Sequence, residues 1–155
     1  MHAIRYPAII THEGPATLAE FPDAPGCQTF TRRQNIRARA QEAIEGWLEA
    51  QLEEHETPPR PSSRLKARRG TTLDWIPINP ILAARLALRW AREDAGLTQT
   101  ELAKRMGVSQ QAYAKLESPN ANFTMETLSR AAEALGMRVE VDLVRSRSGE
   151  MAAVR

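Results

Sequence analysis

The sequence predicts an α+β protein in two parts: a small antiparallel sheet with one helix, then an all-α domain that ends in a strand. Three observations carry that prediction. Up to residue 31, β-branched and aromatic residues come in strand-length runs separated by proline- and glycine-rich turns. From Ile36 the apolar spacing changes to three and four residues, the period of a helix. Three prolines within residues 58–61 then interrupt the helical pattern, which resumes near residue 80.

Taken in order, "AIRYPAII" (3–10) reads as the first strand and "THEGP" (11–15) as a turn. "ATLAEF" (16–21) is the second strand, "PDAPG" (22–26) a break, and "CQTF" (27–30) a short third strand. Connections this short cannot make parallel crossovers, so an antiparallel meander follows. Ile36, Ala40, Ala43, Ile44, Trp47, Leu48 and Leu52 then form one face of a helix of about five turns, with Thr31 as its expected N-cap. Glu42, Glu45, Glu49, Glu53 and Glu56 line the opposite face, a pattern that ordinarily marks a solvated surface.

Residues 57–70 read as a connector. "TPPRPSS" is stiff, and the "RLKARRG" that follows either tracks phosphates or stays a solvated basic loop. "TTLDWIPI" (71–78) is the last strand of the front sheet, with Pro77 requiring an edge or a strand end. Pro80 opens a helical stretch at an allowed first-turn position. Helices are expected at 80–94, 98–106, 109–117 and 124–135. In "MRVEVDLV" (137–144), Val139, Val141 and Leu143 alternate with Glu140 and Asp142, the pattern of a half-buried strand. Such a strand pairs across a dimer axis or packs back on its own chain. The expected domains are therefore 1–78 and 79–144, followed by a flexible tail at 145–155.

Composition narrows the class. The 155 residues are 42% hydrophobic, ordinary for folded domains. Cys27 is the one cysteine, which excludes an intrachain disulfide and reads as a small buried apolar residue. The start "MHAIRYPAIITHEGP" lacks the charged and apolar regions of a signal peptide. No run approaches the ~18 apolar residues of a membrane span, so a soluble cytoplasmic protein is expected. The net charge of +2 is unevenly spread: residues 1–63 carry six Arg against nine Asp/Glu, whereas residues 64–155 carry fifteen Lys/Arg against ten. An acidic front and a basic back point to two different partners.

Residues 97–117, "LTQTELAKRMGVSQQAYAKLE", hold the strongest local signal. Thr98 and Glu101 have the spacing of a capping box, and Leu97 and Leu102 that of a hydrophobic staple. Gly107 suits the left-handed residue that ends a helix. Val108 fills the turn and Ser109 caps the next helix, whose Tyr113 and Leu116 face Leu102 and Met106. Two short helices joined by a tight turn make a helix–turn–helix.

The run "GLTQTELAKRMGVSQQAYAKLE…FTMETLSRAAEALG" resembles the Cro/phage-repressor type of helix–turn–helix. The resemblance implies that the second helix enters the major groove of DNA. Gln99 would then grip a phosphate with help from its helix N-terminus. Ser109, Gln110 and Gln111 would stand at the start of the recognition helix. There the glutamines face base edges and suit adenine N6 and N7. Lys115 would reach a phosphate or a guanine, and Asn120, Asn122 and Thr124 the backbone. Ala114 departs from the hydroxyl or larger polar residue common at its position, which puts one contact in doubt.

A second resemblance covers residues 4–144. "YPAII…FPDAPGC", a helix ending "EAIEGWLEAQLEE", a proline-rich connector, "WIPINPILAARLAL" and "ALGMRVEVDLV" together look like HicB-family antitoxins whose C-terminal half is a helix–turn–helix. That family implies a partial ribonuclease H-like sheet domain that covers a small basic RNA-cleaving toxin of the HicA type. It also implies a C-terminal domain that represses the operon encoding the pair. Tyr6, Phe21, Asp23, Glu45 and Glu49 are the residues expected to meet the toxin. Arg32, Arg33, Arg37 and Arg39 depart from the family's more acidic pattern and oppose the dipole at the start of the helix.

No enzyme, metal or cofactor is expected. Asp23 is the one acid in "FPDAPGC" and reads as a turn residue bonding its own backbone. His2, His12 and His55 show no metal-ligand spacing. Two alternatives stand beside the antitoxin: a stand-alone repressor whose front domain senses a ligand or dimerises, and a metal-dependent nuclease.

Overall fold

The structure is a computed structural model that describes residues 3–32, 35–120 and 122–145. His2, Arg33 and residues 146–155 of the expected tail lie outside the described residues. The elements run β1 (Arg5–Glu13), β2 (Ala16–Glu20), β3 (Gln28–Thr31), α1 (Ile36–Glu53), β4 (Thr71–Pro77), α2 (Pro80–Asp94), α3 (Gln99–Met106), α4 (Gln110–Glu117) and α5 (Met125–Ala134). The α+β class is as expected. Contacts divide the chain into two units, one built on the sheet and one on the last four helices, and the division falls inside α1.

The sheet unit is antiparallel throughout, in the order β3-β2-β1-β4. β1 runs three residues further than expected, because "THE" pairs with β2 and only Gly14 and Pro15 are left to turn. Gly14 takes φ 57, a left-handed conformation that glycine adopts without a Cβ clash. Pro77 ends β4, which is an edge strand, so its missing N–H leaves no gap in a central ladder.

Tyr6, Ala8 and Ile10 alternate along β1 and are buried with Ala19, Ile76 and, from α1, Ala40, Ile44 and Leu48. The alternation puts one sheet face in the core. The four-residue steps turn one stripe of α1 the same way. Burying each large aliphatic side chain contributes about 1.5–3 kcal/mol.

Helix α1 does not use Thr31 as its cap. Thr31 pairs with Thr17 at the end of β3, and Asn35 takes the capping place, its Oδ1 accepting from Arg37 N at 3.0 Å. Strand pairing uses Thr31, and the helix starts five residues later. Nor does Glu56 belong to the helical face, since α1 ends at Glu53 and His55 turns the chain with φ 61.

Two of the unexplained arginines gain roles here. Arg37 Nη1 donates to Asp74 Oδ1 at 2.8 Å and so ties the first turn of α1 to β4. Arg39 pairs with Glu42 at 3.0 Å.

Asp23 is a correction. Its carboxylate accepts from Ser62 N at 2.7 Å and Ser62 Oγ at 2.6 Å, not from its own turn. The turn is closed by backbone bonds instead, Phe21 N to Cys27 O, Ala24 N to Phe21 O and Cys27 N to Ala24 O. That frees the side chain to hold the connector. Nearby, the buried Tyr6 hydroxyl donates to Pro59 O at 2.6 Å. Thus the part of the proline-rich segment from Pro59 to Ser62 is fastened to the sheet unit, and its prolines limit the backbone freedom lost in fastening it.

In the helical unit, Leu88, Leu102, Ala103, Met106, Tyr113, Leu116, Leu128 and Ala131 form the core. The unit also includes Glu49–Pro58. Trp90 Nε1 donates to Pro58 O at 2.9 Å, and Arg89 donates to Thr57 Oγ1 at 2.9 Å and to His55 O at 2.6 Å.

The expected strand at 137–144 is not formed; residues 137–145 have no regular structure. Val139 packs on the helical core, whereas Met137, Val141, Leu143 and Val144 are exposed. A strand requires a hydrogen-bonding neighbour, and none runs beside this segment among the described residues.

Candidate nucleic-acid interface

Helices α3 and α4 are set by their ends. Thr98 Oγ1 accepts from Glu101 N at 3.2 Å, and Glu101 Oε2 accepts from Thr98 N at 2.7 Å, which completes the capping box. Those bonds hold the Glu101 carboxyl below its usual range, led by the Thr98 backbone N–H. Leu97 packs against the core cluster that contains Leu102, as a hydrophobic staple requires. Gly107 closes α3 at φ 69, with its N–H bonded to Lys104 O. Ser109 Oγ then accepts from Ala112 N at 3.1 Å and starts α4. These are the devices expected from the sequence.

On α4, Tyr113, Leu116 and Glu117 point inward. Gln110, Gln111, Ala114 and Lys115 share another side, since steps of three and four residues return to one face. Gln111 and Lys115 are exposed, while Gln110 and Ala114 are half-buried.

A buried network behind this face escaped sequence reasoning. Glu117, only 3% exposed, receives Arg92 Nε at 2.6 Å and Arg92 Nη2 at 2.9 Å. It also accepts from the Tyr113 hydroxyl at 2.7 Å and from Gln99 Nε2 at 2.9 Å. Gln99 Oε1 in turn accepts from Gln110 Nε2 at 3.1 Å. A chain of bonds therefore runs from an internal ion pair to the first residue of α4 and fixes the Gln110 amide.

Burial is the largest single influence on Glu117 and raises its pKa. The bonds from Arg92, Tyr113 and Gln99, with the Arg92 charge, outweigh it and hold the carboxyl below its ordinary value. The bond to Glu117 leads in raising Arg92. Burial leads in raising Tyr113, helped by the neighbouring carboxylate.

A second arginine closes α4. Buried Arg85 donates to the Lys115 carbonyl at 3.3 Å and to the Ser118 carbonyl, and lies 5.1 Å above the Phe123 ring. Desolvation lowers its pKa, opposed by the charge of Glu49. A cation is favourable at this end of the helix dipole. Arg130 does the same for α3, donating to Met106 O at 3.0 Å. A signal for the first group was present: Arg85, Arg89 and Arg92 recur at helical spacing inside an otherwise apolar stretch.

The other expected contact residues are already engaged or lie apart. Thr124 caps α5, accepting from Thr127 N at 3.1 Å. Asn120 donates to Glu53 at 3.2 Å, whereas Asn122 is exposed. Of the residues expected to meet a toxin, Tyr6 and Phe21 are 0% and 2% exposed and offer no surface to a partner in this structure. Asp23 holds Ser62. Glu45 accepts from Gln41 Nε2 at 2.8 Å and from Asn79 N at 2.7 Å, while Glu49 is exposed and interacts with Arg85. No group of three or more His, Cys, Asp or Glu placed to hold a metal occurs among the described residues. No helix among them is long and apolar enough to cross a membrane.

Comparison with known proteins agrees with this geometry. Residues 88–141 match the helix–turn–helix family. The chain is 24% identical over 139 residues to a protein named Antitoxin HicB 2 from Photorhabdus laumondii subsp. laumondii, an alignment covering 89% of this chain and 95% of that protein. The chain is thus similar to a protein named as a HicB antitoxin along most of its length, and the match to the helix–turn–helix family lies in its C-terminal half.

Proposed function

We propose that this protein is the antitoxin of a HicA/HicB-type pair. In this reading residues 1–78 neutralise a small basic RNA-cleaving toxin, and residues 79–144 repress the operon encoding both proteins. One observation carries the DNA half: a capped helix, α4, presents exposed Gln111 and Lys115 beside a Gln110 whose amide is fixed from behind. An amide held in place loses less freedom on meeting a base edge, so its bonds discriminate better. The toxin half is supported by the likeness to an antitoxin along both halves of the chain. Charge supports it too, since the acidic front half would draw a cationic partner.

A two-fold dimer would bind a pseudo-palindrome with half-sites about one helical turn apart, or a multiple of that. The toxin test uses the tagged full chain expressed in its native host. Co-purification of a small basic protein in equal amount is the expected outcome. An empty capture from a chain that still binds its own promoter would make it a stand-alone repressor. For the DNA half, Gln110→Ala with Gln111→Ala should weaken operator binding by about 1–3 kcal/mol per lost base contact and leave toxin capture intact. Unchanged operator affinity in gel shifts would remove α4 from the groove.

A further inference from the structure

After α5 the chain carries a segment with the pattern of a strand and, among the described residues, no neighbour to pair with. Met137 N is bonded to Ala132 O and Gly136 sits at φ 71, so residues up to 136 belong to the helix end and a ladder begins no earlier than 137. Beyond that point Arg138 and Glu140, two apart, form an ion pair at 2.6 Å, as side chains on one face of extended backbone do. The opposite side carries Met137, Val139, Val141 and Leu143, of which Val139 rests on the helical core while the others are 55%, 64% and 98% exposed.

We propose that residues 137–143 pair with the same residues of a second copy as a two-stranded antiparallel ribbon, with Glu140 on the two-fold axis. The partner follows from matching the segment to itself. A two-fold axis perpendicular to the ribbon must pass through one residue, so Val139, Glu140 and Val141 are the central choices. With Val141 on the axis, Glu140 faces Asp142 twice, and like charges directly opposite are destabilising. With Val139 on the axis, Leu143 would have to pair with Leu135, which is the C-cap of α5, and its apolar surface stays uncovered.

With Glu140 on the axis, Arg138 faces Asp142, Val139 faces Val141 and Met137 faces Leu143. Every exposed apolar residue of the segment up to Leu143 gains an apolar partner. The two Glu140 carboxylates that approach each other are each already paired with their own Arg138. An isolated two-stranded ribbon is marginal in water. This one is backed, because Val139 anchors its apolar face to the helical core.

The proposal deepens the dimeric repressor reading and rests on it only for its purpose, since the test needs no DNA. Single substitutions Val139→Cys, Glu140→Cys and Val141→Cys are made in the full chain, and disulfide-linked dimer is followed under mild oxidation. The wild type, whose Cys27 is 6% exposed, is the control. Glu140→Cys should cross-link at least roughly tenfold faster than either neighbour, because only residues on the axis come within disulfide range of their own copies. In the same samples, Leu143→Asp should shift the sedimenting species from dimer toward monomer with unchanged helical circular dichroism.

Fastest cross-linking at 139 or 141 would overturn the register. Cross-linking at none of the three would overturn the ribbon. A chain that cross-links at 140 yet ignores its operator keeps the ribbon and loses the repressor reading; one that binds its operator without cross-linking does the reverse.

Discussion

Glu117 ties the core of the helical unit to the first residue of α4. Its carboxylate holds Arg92, Tyr113 and Gln99 inside the helical unit, and through Gln99 it orients Gln110. Glu117→Gln would leave the Arg92 charge buried without its counter-ion. Breaking a buried pair by removing one partner costs about 3–5 kcal/mol, and urea unfolding at neutral pH should register that loss. The pH dependence has a definite sign. The folded-state pKa lies below the unfolded value, so the stabilisation is complete above the ordinary carboxylate range and is lost as pH falls through the folded value. Wild type should therefore lose stability in acid more steeply than the glutamine variant, and parallel curves would assign the acid sensitivity elsewhere.

Cys27 behaves in the opposite sense. Burial pushes its thiol up to about 11. Its contribution is complete below the ordinary thiol range and fades as pH rises through the folded value. At pH 8 a thiol reagent should label the native protein only as fast as it opens, and the urea-unfolded protein at once.

Among the elements, the helices with local stop and start signals were the most legible. Thr98, Glu101, Gly107 and Ser109 act within four residues of themselves, so their roles can be read from spacing alone. Thr98→Ala should cost about 1 kcal/mol. Gly107→Ala should cost about 1–2 kcal/mol through its left-handed backbone, because an added Cβ meets nothing within 4 Å. Thermal melts of the two single variants check both values, and a Gly107 variant as stable as wild type would mean that the turn relaxes. Less legible were features decided by distant residues. Whether Thr31 caps α1 or ends β3 depends on pairing with Thr17, and whether Asp23 serves its own turn depends on Ser62. The buried arginines were legible only through their helical spacing, since charged residues are ordinarily placed outside.

At the scale of the molecule, the two-part organisation was visible in the change from period two to period three and four, and in the prolines between. What spacing could not reveal is that residues 55–58, the last two of them read as connector, are part of how the helical unit is held. His55 O, Thr57 Oγ1 and Pro58 O receive Arg89 and Trp90, and Pro58 is fully buried. Short backbone-accepting segments leave no hydrophobic period, so nothing in the sequence marks them as packed. A fragment starting at residue 79 would keep all four helices of the unit yet strip these partners from α2. Each ordinary hydrogen bond is worth about 0.5–1.5 kcal/mol net, and more when a charged donor such as Arg89 is left unsatisfied. The loss of three, together with the exposure of Trp90, should destabilise residues 79–155 by about 3 kcal/mol relative to the same unit in the full chain. Guanidinium unfolding of the fragment and the whole protein, followed by helical circular dichroism, measures the difference. Equal midpoints would mean that residues 55–58 lie against α2 without supporting it, and would return the boundary to the start of α2.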